Sequence, residues 1–187
     1  MVKEKSCNTL NNKYLHDNLS KLLNKKLIDA CGKCRLLWEN KSYKDLEKVS
    51  LMEKVNVVYS LIYNKENRTI LMVQNENGIW TLPGGAVEQN ETLKQAAVRE
   101  TLEETGLEVE VGNIVAINEA FFPERGHHAL MITFSANIVS GNIEILNKDE
   151  ILQIKWFNLE TANELMPYHK LGIQPLLESS VPYTFQG

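Results

Sequence analysis

Residues 85–107 read GAVEQNETLKQAAVRETLEETGL, and this stretch decides the fold expected for the rest of the chain. It begins at the end of a Leu-Pro-Gly-Gly turn signal, residues 82–85, that directly follows an apolar run. Thr92 with Gln95 three residues later predicts a capping box, and Gly106 is suited to end a helix in the left-handed conformation. The sequence therefore predicts a strand, a glycine loop, and a helix that runs from about Thr92 to the residue before Gly106.

Three carboxylates share one face of this helix. Glu100, Glu103 and Glu104 are spaced at i, i+3 and i+4, so their side chains project close together. Their charges repel each other, and the last turn of a helix favours cations over anions. Hard divalent ions take oxygen ligands, and Mg²⁺ commonly binds few carboxylates while substrate phosphates supply further oxygens. The pattern indicates metal-assisted phosphate chemistry, and the alternative is an ordinary solvated acidic helix.

The same residues resemble the Nudix box, G-x5-E-x7-R-E-U-x-E-E-x-G-U, in which U is a bulky aliphatic residue. Gly85, Glu91 and the run RETLEETGL at residues 99–107 match its fixed positions. The one departure is Thr101, a β-branched residue in the first aliphatic slot. The resemblance implies an α+β fold of the Nudix type, an α/β/α sandwich with a mixed β-sheet, over about residues 55–175.

The resemblance also implies a metal site. In this family the ligands are the two adjacent glutamates, the glutamate after the arginine, and a glycine carbonyl just before the helix. The matching positions are Glu103, Glu104, Glu100 and the backbone of Gly84 or Gly85. The expected cofactor is Mg²⁺ or Mn²⁺.

Glu91 and Arg99 belong to the motif without being expected ligands. In similar proteins they form an internal ion pair that holds the loop against the helix, which implies a supporting role. Direct phosphate binding by Arg99 is the alternative. It is disfavoured because Arg99 is expected to point away from Glu103 on the helix.

The general base is expected outside the motif. In many relatives a further glutamate, from a loop before a late strand, completes the metal site or activates water. Asp149 and Glu150 hold a comparable place before the apolar residues from 151 onward, and we select Glu150. The alternatives are that Glu150 is an ordinary charged turn residue, or that Glu103 is the base.

Candidate substrate contacts are spread over the second half of the chain. Aromatic side chains stack on nucleobases, although near strand ends they more often pack in the core. Histidine and basic side chains bind phosphate, although a loop histidine pair is commonly just solvated. The aromatic candidates are Tyr59, Trp80, Phe121 and Phe122, and the polar ones are Arg125, His127, His128 and Lys155.

The expected reaction follows from the resemblance. It is divalent-metal-dependent hydrolysis of a diphosphate linkage in a nucleoside diphosphate derivative, with ADP-ribose or a nucleotide sugar favoured. Pro123 lies sixteen residues beyond Leu107, where a proline is associated with ADP-ribose-hydrolysing members, although a loop proline is also ordinary. The alternatives are a pyrophosphohydrolase of (oxidised) nucleoside triphosphates and a non-catalytic, nucleotide-sensing Nudix domain.

Composition limits the partners and the compartment. The chain has 187 residues, of which 43% are hydrophobic and 24% charged, which suits one domain with an appended element. A net charge of −4 provides no basic field for nucleic acid or an anionic membrane. No apolar run is long enough to span a bilayer, and no secretory signal precedes the three cysteines, so we expect a cytoplasmic protein. A homodimer and a monomer both remain open.

The chain is expected to divide into an N-terminal helical extension, residues 1–50, and the Nudix domain, residues 51–187. Leucines recur at helical spacing in the extension. Its Cys31 and Cys34 have the CxxC spacing, but a zinc site needs four ligands and the segment offers no familiar set. Packed or partly exposed thiols are therefore favoured over a metal or redox site, and the segment itself is expected to bind substrate, form a dimer contact or cover the domain.

The remaining secondary structure follows from apolar alternation and turn residues. A loop that contains Pro123 and Gly126 is expected at residues 121–128. The predicted strands are residues 55–63, 69–74, 79–82, 108–117, 129–139 and 151–157. Residues 160–166 with residues 170–178 are predicted to form one or two C-terminal helices.

Overall fold

The computed structural model describes residues 52–187. The predicted helical extension and the Cys31/Cys34 pair lie outside these residues. The described part contains, in chain order, β1 (Glu53–Asn64), β2 (Thr69–Asn75), β3 (Trp80–Thr81), β4 (Gly84–Ala86), α1 (Leu93–Thr105), β5 (Leu107–Phe122), β6 (His127–Gly141), β7 (Ile151–Asn158), α2 (Leu159–Leu165) and α3 (Gln174–Glu178).

The strands form one mixed sheet in the order β3-β2-β1-β6-β5, with β4 paired to β1 and β7 paired to β2. The strands β1 and β6 run parallel, and the other pairs are antiparallel. A parallel pair needs a crossover connection, and here that connection contains α1. The α1 helix therefore lies across β1, at the centre of the sheet.

Two apolar clusters lie on opposite faces of the sheet. Side chains alternate between faces along a strand, so Val58 and Ile62 of β1 pack beneath Ala97 of α1, whereas Leu61 packs with Met166 beside α2. The sheet therefore lies between helices on both faces. This confirms the predicted α+β sandwich with a mixed sheet.

The helix α1 begins and ends as its sequence predicts. The Gln95 backbone N–H donates to the Thr92 hydroxyl at 3.3 Å, and the Thr92 backbone N–H donates to the Gln95 side chain at 2.8 Å. Gly106 closes the helix at φ 70°, and its N–H donates to the Leu102 carbonyl at 2.8 Å. Both ends are thus capped by groups within four residues of the helix.

Thr101 fits its aliphatic slot because its hydroxyl has partners. The side chain is fully buried. Its Oγ1 lies 2.7 Å from the Ala97 carbonyl oxygen and 2.8 Å from the hydroxyl of Ser60, a buried residue of β1. A buried hydroxyl is tolerated when it is hydrogen-bonded, so this departure from the motif ties α1 to the sheet.

The loop predicted at residues 121–128 is shorter in the structure. Pairing of β5 with β6 continues to Phe122 and His127, so only residues 123–126 remain as a turn. Gly126 has φ 67°, and its N–H donates to the Pro123 carbonyl at 3.2 Å. The proline and glycine that indicated a loop instead form a tight turn.

The second C-terminal helix is also shorter than predicted. Residues before Gly172 form a turn, and α3 begins only at Gln174. Gly172 adopts φ 76°, and the Ile173 N–H donates to the Asn163 side chain at 2.8 Å. These local bonds divert the backbone before a helix can form.

Candidate functional site

The two glycines before α1 belong to a short strand rather than to the expected loop. Strand β4 pairs with β1 so that Gly84 lies opposite Tyr59 and Gly85 lies opposite Val58. A Cβ on Gly84 would lie 2.0 Å from the Val58 carbonyl oxygen, and a Cβ on Gly85 would lie 2.6 Å from the Glu100 carboxylate. A side chain would therefore clash with backbone at Gly84 and with the carboxylate end of a side chain at Gly85.

Glu104 is the most buried carboxylate of the motif, with only 7% of its surface exposed. The Gly84 N–H donates to its Oε2 at 2.8 Å. Burial raises the pKa of Glu104 to about 8, and the negative charges of Glu100, Glu150 and Glu103 also raise it. The protein groups around Glu104 therefore do not offset the cost of ionising its carboxylate.

The pKa of Glu100, four residues before Glu104 on the same helix face, is also raised. Burial raises its pKa, Arg99 opposes this by hydrogen bonding and charge, and the charges of Glu103 and Glu150 add to it. Glu150, the predicted base, is an exposed residue directly before β7. Since its charge acts on both Glu100 and Glu104, the fold brings Glu150 within electrostatic reach of the helix carboxylates.

Arg99 contacts three carboxylates. Its Nε and Nη2 donate to the two oxygens of Glu91 at 3.1 and 2.7 Å, and its Nη1 donates to Glu100 at 2.9 Å and to Glu103 at 3.2 Å. The expectation that Arg99 points away from Glu103 is wrong, because residues i and i+4 share a helix face. A further bond from Nη2 to the Ala86 carbonyl, at 3.2 Å, joins the helix to β4.

Within residues 52–187, no three His, Cys, Asp or Glu side chains are grouped closely enough to hold a metal ion. Arg99 draws Glu100 and Glu103 towards itself, while Gly84 holds Glu104. The donor set nevertheless fits a hard divalent cation, since it consists of carboxylate oxygens, those of Glu100 and Glu104 with raised pKa, beside the backbone of Gly84 and Gly85. The Glu103 side chain is 51% exposed, so its ion pair with Arg99 holds it only weakly.

The predicted phosphate contacts fall in different places. Arg125 is exposed in the β5–β6 turn. Burial and the charge of Glu104 raise the pKa of Tyr59, and the positive charge of Arg125 partly opposes this. Arg125 is therefore within electrostatic reach of Tyr59. Lys155 instead lies over the Trp80 ring, with its Nζ 5.6 Å from the ring centroid.

His127 lines a shallow cleft of about 550 Å³ beside the helix loop. Its other walls are residues 53–56, residues 86–88 and Glu91. The cleft thus borders the Glu91–Arg99 pair rather than Glu104. Phe122 pairs with His127 at the turn end of the hairpin, where it is half-buried.

The other aromatic candidates differ in how much of the ring is available. Trp80 is packed edge-on by Phe157, with centroids 4.8 Å apart. Phe121 is 57% exposed and lies against His128, with centroids 4.4 Å apart. The His128 ring in turn contacts Glu119 at 2.6 Å. Trp80 and His128 thus already contact other side chains of the protein.

Sequence reasoning missed Tyr168. This residue lies in the turn between α2 and α3, and burial together with the nearby Tyr59 raises its pKa. Its sequence context, Met-Pro-Tyr-His, has no periodicity that would distinguish it from an ordinary loop tyrosine. Its position is fixed through Met166, which is buried in the apolar cluster beside α2.

Known proteins resemble this chain in sequence and in fold. The NUDIX domain family model matches residues 53–178. The chain is 30% identical over 130 residues to the ADP-ribose pyrophosphatase of Methanocaldococcus jannaschii, covering 68% of this chain and 76% of that protein. It is 32% identical over 120 residues to the NAD-capped RNA hydrolase NudC of Shigella dysenteriae, covering 63% of this chain but only 44% of NudC.

Solved structures agree on the fold. A NUDIX hydrolase from Nitrosomonas europaea superposes with a TM-score of 0.60 at 23% identity, covering 72% of this chain and 99% of that one. The MutT protein of Methanosarcina mazei Go1 gives a TM-score of 0.54 at 26% identity, covering 60% and 83%. The chain therefore belongs to the NUDIX domain family and, by class, is a Nudix hydrolase.

Proposed function

We propose that this protein hydrolyses the diphosphate linkage of a nucleoside diphosphate derivative, with ADP-ribose or a related dinucleotide such as NAD favoured. The observation that carries the proposal is the set of carboxylates around α1, where Glu100 and Glu104 have raised pKa beside Glu103 and Glu150. The likeness to an ADP-ribose pyrophosphatase and to NudC supports this substrate class.

The metal ligands in this proposal are Glu100, Glu103, Glu104 and the backbone of Gly84 or Gly85, and the cation is Mg²⁺ or Mn²⁺. When bound, the cation would neutralise the diphosphate charge and polarise its phosphorus–oxygen bonds. The raised pKa of Glu104 supports the assignment, since burial and three neighbouring carboxylates disfavour its ionisation and a bound cation would favour it.

The protein's own groups orient the reaction. Glu150 is the proposed general base and accepts the proton of the attacking water, with Glu103 as the second candidate. Arg99 keeps Glu100 in place while its other nitrogens bind Glu91 and the Ala86 carbonyl. The guanidinium thereby holds β4 against α1 around the site.

Basic groups outside the motif are the proposed phosphate contacts. Arg125 is the first, because its charge reaches Tyr59, which pairs with Gly84. His127 is a second contact, since it lines the cleft beside Glu91. Phe122 and Lys155 are the further proposed substrate contacts, and the Lys155 ammonium lies over the Trp80 ring.

A substrate panel tests the function. Purified full-length protein is incubated with ADP-ribose, NADH, a nucleotide sugar and nucleoside triphosphates, each with Mg²⁺, with Mn²⁺ or with a chelator. We expect AMP and ribose 5-phosphate from ADP-ribose, only with a divalent cation, in chromatographic product analysis. Release of no phosphorylated product from any substrate would contradict the proposal, and products formed only from triphosphates would move it to the pyrophosphohydrolase alternative.

A further inference from the structure

Residues 99–105, the half of α1 that carries the carboxylates, bury only polar side chains. The buried residues are Thr101, Glu104 and Thr105, whereas Leu102 is 37% exposed. A helix is commonly positioned by large apolar side chains that interlock with its neighbours, and this half of α1 places none in the core. Hydrogen bonds therefore have the larger part in setting its rotation and its distance from the sheet.

Ser60 of β1 meets Thr101 in this polar layer. Both side chains are fully buried, and their hydroxyl oxygens lie 2.8 Å apart. The Ala97 carbonyl oxygen lies 2.7 Å from the Thr101 hydroxyl and 3.4 Å from the Ser60 hydroxyl. Each hydroxyl has one proton, so one hydroxyl donates to the other and the second donates to the carbonyl. The pair thus links α1 directly to β1.

The backbone of Ser60 holds the strand that approaches the carboxylates. Its N–H donates to the Pro83 carbonyl at 2.8 Å, directly before β4. The next residue, Gly84, donates its N–H to the Glu104 carboxylate at 2.8 Å. Glu104 lies three residues after Thr101 on α1. The contacts therefore form a closed circuit of hydrogen bonds, which runs from Ser60 through α1 to Glu104 and returns through residues 83–84.

The circuit encloses a narrow gap between α1 and β4. A Cβ on Gly85 would lie 2.6 Å from the Glu100 carboxylate, and a Cβ on Gly84 would lie 2.0 Å from the Val58 carbonyl oxygen. Glu100 directly precedes Thr101, the residue that Ser60 binds. A small rotation of α1 would therefore change how far its carboxylates lie from the glycine backbone.

We propose that Ser60 is a positioning residue, which holds the carboxylates of Glu100 and Glu104 at a set distance from the Gly84–Gly85 backbone. Its hydroxyl fixes α1 through Thr101, and its N–H fixes β4. This rests on the proposed function only for the role of these groups as metal ligands. It goes beyond that function by assigning a role to a residue outside the motif, and by matching that residue to the threonine in the first aliphatic slot.

Metal binding without substrate tests the proposal. Calorimetry gives the Mn²⁺ affinity of the full-length protein for wild type, Ser60→Ala, Thr101→Val and Thr101→Ser. Thr101→Val keeps the shape of the side chain and removes the hydroxyl, whereas Thr101→Ser keeps the hydroxyl and removes a methyl group. We expect Ser60→Ala and Thr101→Val each to weaken Mn²⁺ binding roughly 10- to 100-fold, the range for groups that orient metal ligands. Thr101→Ser is expected to bind Mn²⁺ like wild type.

A double variant and a matched control complete the set. Because the two hydroxyls act through one hydrogen bond, Ser60→Ala/Thr101→Val is expected to bind Mn²⁺ no more weakly than either single variant. Ser140→Ala is the control, since the Ser140 hydroxyl of β6 also donates to a side chain, that of Glu108 at 2.6 Å, but on the exposed surface. It is expected to keep wild-type affinity.

Three results would overturn the proposal. One is wild-type Mn²⁺ affinity in Ser60→Ala or in Thr101→Val. Another is an equal loss in Thr101→Ser and Thr101→Val, since packing rather than the hydroxyl would then position the helix. The third is a loss in the double variant that equals the sum of the single losses in free energy, because the two residues would then act independently.

Amide exchange of the Gly84 N–H, followed by NMR in the metal-free protein, separates this proposal from the proposed function. We expect faster exchange in Ser60→Ala than in wild type, because α1 and β4 are then held less firmly together. A protein that binds no Mn²⁺ but shows this faster exchange would lose the metal assignment and keep the positioning role. A protein that hydrolyses ADP-ribose with Mn²⁺ but has unchanged exchange and Mn²⁺ affinity in Ser60→Ala would keep the function and lose the positioning role.

Discussion

At the scale of single residues, the site has one guanidinium among several carboxylates. Arg99 pairs with Glu91, Glu100 and Glu103, whereas Glu104 accepts a hydrogen bond from the Gly84 backbone N–H. Burial and like charges raise the pKa of Glu104 to about 8. A cation near Glu104 would therefore relieve an electrostatic cost that Arg99 does not offset.

Glu103 is the residue whose change tests the metal assignment most directly. Its side chain is 51% exposed and paired only weakly, so Glu103→Gln should leave the fold intact. We expect kcat on ADP-ribose to fall by at least about 100-fold, because even groups that only orient a metal ligand contribute 10- to 100-fold. The measurement is product release at saturating Mg²⁺, with circular dichroism and Tm recorded beside it.

Glu110→Gln is the control for this substitution. Glu110 is an exposed glutamate on β5, in pairing register with Asn137 of β6. It should keep wild-type kcat. Wild-type activity in Glu103→Gln would exclude Glu103 from both the ligand and the base role.

At the scale of elements, β4 and α1 act as one unit. Arg99 bonds to the Ala86 carbonyl, Gly84 bonds to Glu104, and Thr101 and Ser60 join the helix to β1. The strand has only three residues, yet it is held on both sides. The positions of the carboxylates therefore depend on how closely β4 approaches its neighbours.

The two glycines of β4 should respond differently to alanine. At Gly84 the added Cβ meets the Val58 carbonyl at 2.0 Å, and backbone cannot easily shift. At Gly85 it meets the Glu100 carboxylate at 2.6 Å, the mobile end of a side chain. We expect Gly84→Ala to lower the free energy of unfolding by about 1–3 kcal/mol, and Gly85→Ala to cost clearly less.

Activity gives a second comparison of the two variants. Gly85→Ala should keep most of its stability but lose turnover, because the added Cβ displaces the Glu100 carboxylate. Urea denaturation and ADP-ribose hydrolysis measured on both variants check this. Equal stability losses in the two variants would show that the backbone clash at Gly84 does not limit the fold.

Elements differ in how well their sequence predicts them. The helix α1 is correctly bounded because its capping groups, Thr92, Gln95 and Gly106, are local. The β5–β6 hairpin is longer than predicted because its register continues to Phe122 and His127, and cross-strand pairing is not a local property. The same difference explains why the short strand β4 was expected to be a loop.

At the scale of the whole molecule, the parallel β1–β6 pair and the two apolar layers bring distant segments together. β1 contributes Tyr59, and the start of β7 follows Glu150. No helix in residues 52–187 combines the length and apolarity required to cross a membrane. The cytoplasmic location and the division at residue 50 stay predictions.

The turn after α2 makes stability depend on pH through His169. Burial lowers the pKa of this histidine from its ordinary value of 6.5. The unfolded chain therefore binds the proton more readily than the folded protein, so stability present above pH 6.5 is lost as the pH falls below it. We expect His169→Gln to show a smaller fall in Tm between pH 7.5 and pH 5 than wild type, on the order of a few degrees.

The comparison isolates His169 because every other titrating group is common to both proteins. Thermal unfolding followed by circular dichroism at the two pH values is sufficient. An identical fall in Tm for wild type and His169→Gln would show that His169 charges as easily in the folded protein as in the unfolded chain.

The sequence by itself determined the helix with its caps, the carboxylate spacing on one face and the family. These depend on residues within a few positions of one another, where helical geometry sets the distances. Only the tertiary structure shows that Glu104 is buried against Gly84, that Arg99 spans from α1 to β4, and that Tyr59 pairs with the glycine whose N–H binds Glu104. Burial and long-range contact arise from strand register and packing, which no short stretch of sequence encodes.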